Sequence, residues 1–284
     1  MGKFKMKKNI DTLIPDICAM LEEGVDTDKK DMQKFLDDFA SQVREAASII
    51  LQEGEREGKT NLRLSQIGKP DRQIWFGVKG VEGQSIDGQT RIKFLMGHLL
   101  EAVLILLTKS AGHTVEGEQD EVTVEGVLGH QDCIIDGVLT DIKSASSFAF
   151  KKFKDNKLSD DDPFGYISQI SAYATKRGDT EAAFFAIDKN SGELAITKVH
   201  DLEMIDANAR VNYLKGILDT DTPPPRCYND VPDGKSGNRK LAIGCVFCGY
   251  KTKCWDNLRA FKYSNGVRYL TQVSKTPDVE EIPI

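Results

Sequence analysis

The stretch Gly129-His130-Gln131-Asp132-Cys133-Ile134-Ile135-Asp136-Gly137-Val138-Leu139-Thr140-Asp141-Ile142-Lys143 reads as two strands joined by a tight turn. Asp-Gly between such runs is a strong hairpin signal, because both central residues of a type I′ turn need positive φ. With the turn closed at Asp136-Gly137, Ile135 faces Val138 and, three steps out, Asp132 faces Asp141. Two carboxylates opposed across a ribbon repel unless something neutralises them. Strand periodicity places Lys143 on the face of Asp141, one side-chain repeat along. Asp132, Asp141 and Lys143 therefore form one expected cluster, and a register shift of one residue would undo it.

Two carboxylates on a rigid ribbon suit a hard divalent cation such as magnesium or manganese. Such an ion orients a phosphodiester, activates water and stabilises charge on the leaving oxygen, and a neighbouring ammonium assists. The bland alternative is a solvated acidic turn screened by Lys143. Upstream, Arg91 to Ser110 reads as a helix ended by Gly112. His98 and Glu101 share one face of it, amid Phe94, Leu95, Met96, Leu99, Leu100 and Val103. Ionisable groups on so apolar a helix are paired or functional, so both are candidate metal ligands.

Downstream, Ser144 to Asp161 reads as a loop that interleaves Phe148, Phe150 and Phe153 with Lys151, Lys152, Lys154 and Lys157. Aromatic faces for bases and ammonium groups for phosphates suit a single strand or frayed end. Phenylalanines tucked into the core are the alternative. Arg63, Lys69 and Arg72 are further candidate phosphate contacts. Asp162 as N-cap, Pro163 at the first position and Gly178 past the end mark a helix. On it Gln169 and Tyr173 point the same way, to hold the hairpin or the nucleic-acid backbone. Ala182 to Ile187 and Glu193 to Val199 read as a second hairpin, and Asp201 to Leu218 as a helix. Residues up to about 60 read as helical, with a polar linker over Glu53 to Asn61.

Composition sets the bounds. The 284 residues are 40% hydrophobic and 29% charged, enough for one large core or a core with an appended module. No apolar run is long enough to cross a bilayer. The basic start is interrupted by Asp11 and Asp16, and Met6 breaks a myristoylation pattern, so the expectation is a cytoplasmic protein. A net charge of −6 argues that any nucleic-acid site is a local basic strip on an acidic body. Six cysteines without a signal sequence argue against a disulfide framework. Cys245, Cys248 and Cys254 lie within ten residues, which reads as metal or cluster ligation. Cys133, next to Asp132 in a strand, points the other way into the core.

The order Gly97-His98-Leu99-Leu100-Glu101, Asp132, Asp141-Ile142-Lys143, Gln169 and Tyr173 resembles the PD-(D/E)XK nuclease superfamily, in particular the RecB-type exonuclease branch and its phage-encoded members. The resemblance covers roughly residues 60 to 258. It implies an α/β fold, a mixed central sheet flanked by helices with metal bound at one sheet edge. It also implies that His98, Asp132 and Asp141, with Glu101 and the carbonyl of Ile142, hold magnesium while Lys143 assists the attacking water. Gln169 and Tyr173 match the branch's Gln-X-X-X-Tyr element. The cysteines resemble the C-terminal half of its four-cysteine iron–sulfur site. The upstream segment where the remaining ligand usually lies has Asp71 and no cysteine, so Cys227 is the nearer and Cys18 the distant candidate. The uneven spacing favours [4Fe–4S] over zinc.

The expected organisation is a helical region over 1–60, a nuclease core over 61–222 and a cysteine-rich tail over 223–284. The expected activity is exonucleolytic hydrolysis of DNA. A structure-specific endonuclease and a non-catalytic DNA-binding protein are the rivals. Recombination, replication and host-DNA degradation are all compatible settings, and the first two would supply a partner protein.

Overall fold

A computed structural model describes residues 8–52 and 61–284. The basic start and nearly all of the Glu53–Asn61 linker lie outside the described residues. Residues 8–52, Arg63–Gly68 and Ile86–Asn212 form one compact unit, and residues 61–62, Lys69–Ser85 and Tyr213–Ile284 form another. These units do not follow boundaries at 60 and 222. The N-terminal helices bury Leu13 and Ile17 in the same core as Leu104, Ile135 and Phe185. The Lys69–Ser85 segment is tied instead to residues near the C-terminus: Trp75 Nε1 donates to the Thr220 carbonyl at 3.2 Å and Gln84 N to the Gly249 carbonyl at 2.8 Å.

The first unit opens with helices α1 (Leu13–Glu23) and α2 (Lys30–Gln52). Helix α3 (Asp71–Val78) belongs to the second unit. Helix α4 (Gly88–Ser110) starts at Asp87, whose carboxylate accepts from Thr90 N. Strands β1 (Val115–Glu116), β2 (Glu121–Val124), β3 (Val127–His130), β4 (Cys133–Ile135) and β5 (Val138–Ala145) follow. Then come α5 (Ser147–Lys154), α6 (Tyr166–Arg177), β6 (Glu181–Asp188), β7 (Leu194–His200) and α7 (Ala207–Leu218). The central sheet has the order β1-β4-β5-β6-β7. It is mixed, because β5 and β6 pair parallel while their other neighbours are antiparallel. A parallel pair needs a crossover, and α5 and α6 provide it. This is the α/β architecture with a mixed sheet and flanking helices that the sequence implies.

The hairpin has the expected register. Ile135 pairs with Val138 and Cys133 with Thr140, and the turn residues Asp136 and Gly137 have φ of 50° and 88°. Cys133 is wholly buried in the core. Two expectations are corrected. The segment Ser144–Asp161 is largely not a loop, since β5 runs to Ala145, Ser146 caps α5, and Phe150 and Phe153 on one face of that helix are buried. Helix α6 starts at Tyr166 rather than Pro163, although the Asp162 carboxylate still caps it, accepting from Tyr166 N and Ile167 N at 2.9 and 2.8 Å. The run Thr114–Ile135 holds four strands, of which β2 and β3 form a separate ribbon turning at Glu125-Gly126, with φ of 46° and 73°.

Gly165 has a φ of 74°, and a Cβ there would lie 2.4 Å from the Gly68 Cα. Gly178 has the same φ with open space around it. Gly165→Ala is expected to lower stability by about 3 kcal/mol or more, strain plus clash, against about 1 kcal/mol for Gly178→Ala. Equal losses in denaturant titrations of the two variants would refute the close approach.

The second unit contains β8 (Val231–Pro232), β9 (Arg239–Lys240), α8 (Ile243–Val246), α9 (Lys251–Cys254), β10 (Arg259–Tyr263), β11 (Gly266–Gln272) and β12 (Glu281–Ile282). Its sheet has the order β12-β10-β11-β9-β8 and is antiparallel throughout. Leu241, Ala260, Phe261 and Leu270 are its buried apolar residues in or beside the strands. Among the described residues no helix is long and apolar enough to cross a membrane.

Candidate active site

Strand β5 lies in the middle of the sheet, so its inward-facing side chains are buried. Asp141 is 1% exposed and forms an ion pair with the Lys143 ammonium. That ammonium lies against Oδ2, while Oδ1 has no hydrogen-bond partner among the described residues. Asp132, one residue before β4, aims its carboxylate across the hairpin, and its Oδ2 accepts from the Ile142 amide at 2.7 Å. Glu101, on α4, accepts from Gln119 Nε2 at 2.8 Å.

Burial pushes the Asp141 carboxyl up to about 7; Lys143 pulls it down and Asp132 pushes it further up. Asp132 is pushed up to about 6 by burial, against the pull of Lys143, with Glu101 raising it and the Ile142 amide lowering it. Burial also raises Glu101, followed by the charge of Asp141. Burial pulls the Lys143 ammonium down, but Asp141 and Asp132 outweigh it and hold it above its ordinary value. The three carboxylates and one amine thus form a single electrostatic cluster.

A carboxyl whose pKa is higher in the folded than in the unfolded chain contributes stability that is full below its unfolded value and lost as pH rises through the folded one. In chelator, stability is therefore expected to fall from about pH 4 to about pH 7, and Asp141→Asn to flatten that fall. Urea titrations across this range test it; identical pH profiles for the two proteins would contradict the burial of a titrating Asp141.

Burial leaves Asp141 Oδ1 without a hydrogen-bond partner among the described residues, which is costly and which a divalent cation would offset. Hard oxygen donors are what magnesium prefers, so the donor set fits the ion. Among the described residues no three His, Cys, Asp or Glu side chains already stand as a coordination shell. His98 is exposed on α4, one turn before Glu101. The apolar residues around it are not a buried stripe either, since Phe94 and Met96 are exposed. The expectation that burial forces His98 into a paired or functional role is therefore corrected.

Tyr173 is 1% exposed and its hydroxyl lacks a partner in hydrogen-bond geometry. It packs against β3, where a Cβ on Gly129 would lie 3.1 Å from that hydroxyl. Burial pushes its pKa up to about 12, with half-buried Gln169 lowering it and Asp141 and Asp132 raising it. Tyr173 therefore sits against the β2–β3 ribbon and does not reach solvent.

The expected DNA contacts fare unevenly. Phe150 is buried and cannot meet a base, which corrects that assignment; helical spacing turns it to the core, while Phe148 stands 80% exposed. Lys151 is exposed, but Lys152 pairs with Asp161 and Lys154 with Glu193. Exposed pairs of this kind are weak and yield readily to phosphate. Arg72, in the second unit, is half-buried; it donates to the Pro224 carbonyl, lies 5.1 Å over the Phe76 ring and lines a cavity beside cysteines.

That cavity is lined by Cys227, Cys245, Cys248 and Cys254 together. Burial pushes the Cys245 thiol up to about 11, and Cys248, Cys227 and Cys254 raise it further. Burial also raises Cys227, while the backbone N–H groups of Arg72 and Gln73, at the start of α3, pull it down. Four soft thiols lining one cavity are the donor type that an iron–sulfur cluster or zinc takes, although like the carboxylates they do not stand as a ready coordination shell. Cys18 is exposed on α1, in the other unit.

Sequence reasoning missed two aromatics. The Lys143 ammonium lies 5.1 Å over the Tyr166 ring, and Tyr166 stacks on Phe164 at 5.5 Å with 27° between planes. The signal was Phe164-Gly165-Tyr166, three residues ahead of Gln169. Gln119, the partner of Glu101, carries no local signal at all.

Fold and site together define a mixed α/β protein with a buried carboxylate–lysine cluster on its central hairpin. No family model and no curated protein matches the chain. Among solved structures it is similar to SSO0001, at 13% identity and a TM-score of 0.41, over 76% of this chain and 95% of that one. It is also similar to an alkaline exonuclease from Laribacter hongkongensis, at 16% identity and a TM-score of 0.38, over 62% and 94%. The same exonuclease in complex with dAMP gives 14% and 0.31, over 55% and 92%. Likeness at this level assigns no activity and no residue role.

Proposed function

We propose that the protein is a metal-dependent deoxyribonuclease of the PD-(D/E)XK kind, of the RecB-type branch, which degrades linear DNA from its ends. The observation that carries the reading is the buried Asp141 carboxylate, short of donors, placed across the hairpin from Asp132 and beside Lys143.

Asp132, Asp141 and Glu101, with the Ile142 carbonyl, would hold magnesium or manganese, with His98, one turn before Glu101, as a further candidate ligand. When bound, the ion orients the phosphodiester and offsets charge developing on its oxygens. Lys143 keeps its proton, held by Asp141 and Asp132, and so presents a fixed positive charge to the phosphate and a donor to the attacking water. Tyr173 and Gln169 brace the hairpin that carries both aspartates. Lys151, Lys152 and Lys154 supply backbone contacts indifferent to sequence.

The second unit is proposed to hold a [4Fe–4S] cluster on Cys227, Cys245, Cys248 and Cys254. Their shared cavity supports this ligand set over one that includes Cys18.

End-labelled linear DNA and covalently closed circular DNA, each with and without magnesium, test the activity. Expected is magnesium-dependent loss of the linear substrate with the circle intact. Cleavage of the circle would make the enzyme an endonuclease, and inertness toward both with magnesium and with manganese would reject the reading.

A further inference from the structure

The geometry beside Lys143 points to a base-binding subsite. We propose that Phe164 and Tyr166 form a stacking platform for a base of single-stranded DNA entering the site, so that the substrate is a single strand or a melted end. This rests on the nuclease reading and adds to it the form of the strand.

Four groups run in an unbroken line from the buried centre to solvent. Asp141 is paired with Lys143, whose ammonium lies over the Tyr166 ring at 5.1 Å. Tyr166 stacks on Phe164, and Phe164 is 55% exposed. A large aromatic left in water is costly unless something covers it. The platform is also rigid. From behind, Tyr166 meets the buried rings of Phe153 at 6.1 Å and Phe184 at 6.2 Å. From below, Gly165 between the two aromatics touches the Gly68 backbone, and Asp162 fixes the Tyr166 amide. A ring held in this way loses little freedom on binding.

A base is the ligand that such a face accepts without regard to sequence, since every base has a π-face. The phosphate that follows it would then lie toward the Lys143 ammonium. A paired base inside a duplex has its faces covered by neighbours and cannot reach the platform. A strand end that has come apart can.

The test compares magnesium-supported cleavage of an oligothymidylate with cleavage of an oligomer of equal length whose sugars carry no bases. Both offer the same phosphates, so the ratio of their kcat/KM values reports on base contact alone. The wild type is expected to favour the oligothymidylate by about 5- to 100-fold. Phe164→Ala should bring the ratio close to one, chiefly by raising KM for the oligothymidylate, and Phe164→Trp should restore it. A merely structural Phe164 would instead slow both substrates alike, which would overturn the platform. So would a wild type that cleaves the two oligomers equally, or that cleaves duplex while ignoring the oligothymidylate; the nuclease reading survives both results. Inertness toward all DNA with magnesium and manganese would sink both.

Discussion

Asp141→Asn is expected to lower magnesium-supported cleavage of linear DNA by about a thousandfold, roughly 4 kcal/mol of lost transition-state stabilisation. The substitution keeps shape and volume, so β5 and its parallel pairing with β6 are untouched. What it removes is the negative charge of a buried carboxylate whose Oδ1 has no hydrogen-bond partner among the described residues. An amide offers one weak oxygen in place of two anionic ones and binds a hard cation poorly. Lys143 keeps Asp132 as its second acid, so the variant should fold, and a cooperative thermal melt checks this. The loss should appear in kcat, and raising magnesium tenfold should recover only a part. A folded variant with more than a tenth of wild-type activity would remove Asp141 from the centre.

Cys248→Ala is expected to abolish the absorbance near 400 nm that an iron–sulfur cluster gives, together with bound iron and sulfide. It should also loosen the second unit severely. Metal bound to a set of thiolates contributes on the order of 10 kcal/mol to folding, and this unit has little else to hold it. Its strands β8, β9 and β12 are two residues each, and its buried apolar residues are few. Proteolysis of the full chain should cut between residues 213 and 284 in the variant and spare the wild type. Zinc without a visible band would change the identity of the metal and leave the ligand set intact. Wild-type protein free of both iron and zinc, with proteolysis unaltered in the variant, would discard the site.

The hairpin was legible because its determinants are local. Asp136-Gly137 fixes the turn, the alternation fixes the register, and the cluster of Asp132, Asp141 and Lys143 follows from arithmetic on three positions. The flanking contacts were not, for want of a local signal. Phe150 and Phe148 look alike in a run of alternating Phe and Lys, and only the helix that Ser146 starts decides which is buried. Nothing beside Arg72 in the sequence signals that the chain brings the Pro224 carbonyl to it. The C-terminal sheet escaped notice although Asn265-Gly266 at the β10–β11 turn hinted at a hairpin; its other three strands are two residues each and carry no alternation to read. Exposure of Phe94 and Met96 went against the apolar stripe, which marks potential burial and not its achievement.

The chain leaves the first unit at Lys69, re-enters it at Ile86 and departs again after Asn212. Neither unit can be released by one scissor cut. A protein shortened at 212 would still carry Ile74, Trp75 and Phe76, all buried in the intact chain, now stripped of Thr220 and Tyr250. Such a truncation would display a sticky aromatic flap, so its failure in an assay would report precipitation rather than chemistry. Dissecting the two units genetically requires excising 69–85 as well and bridging the gap.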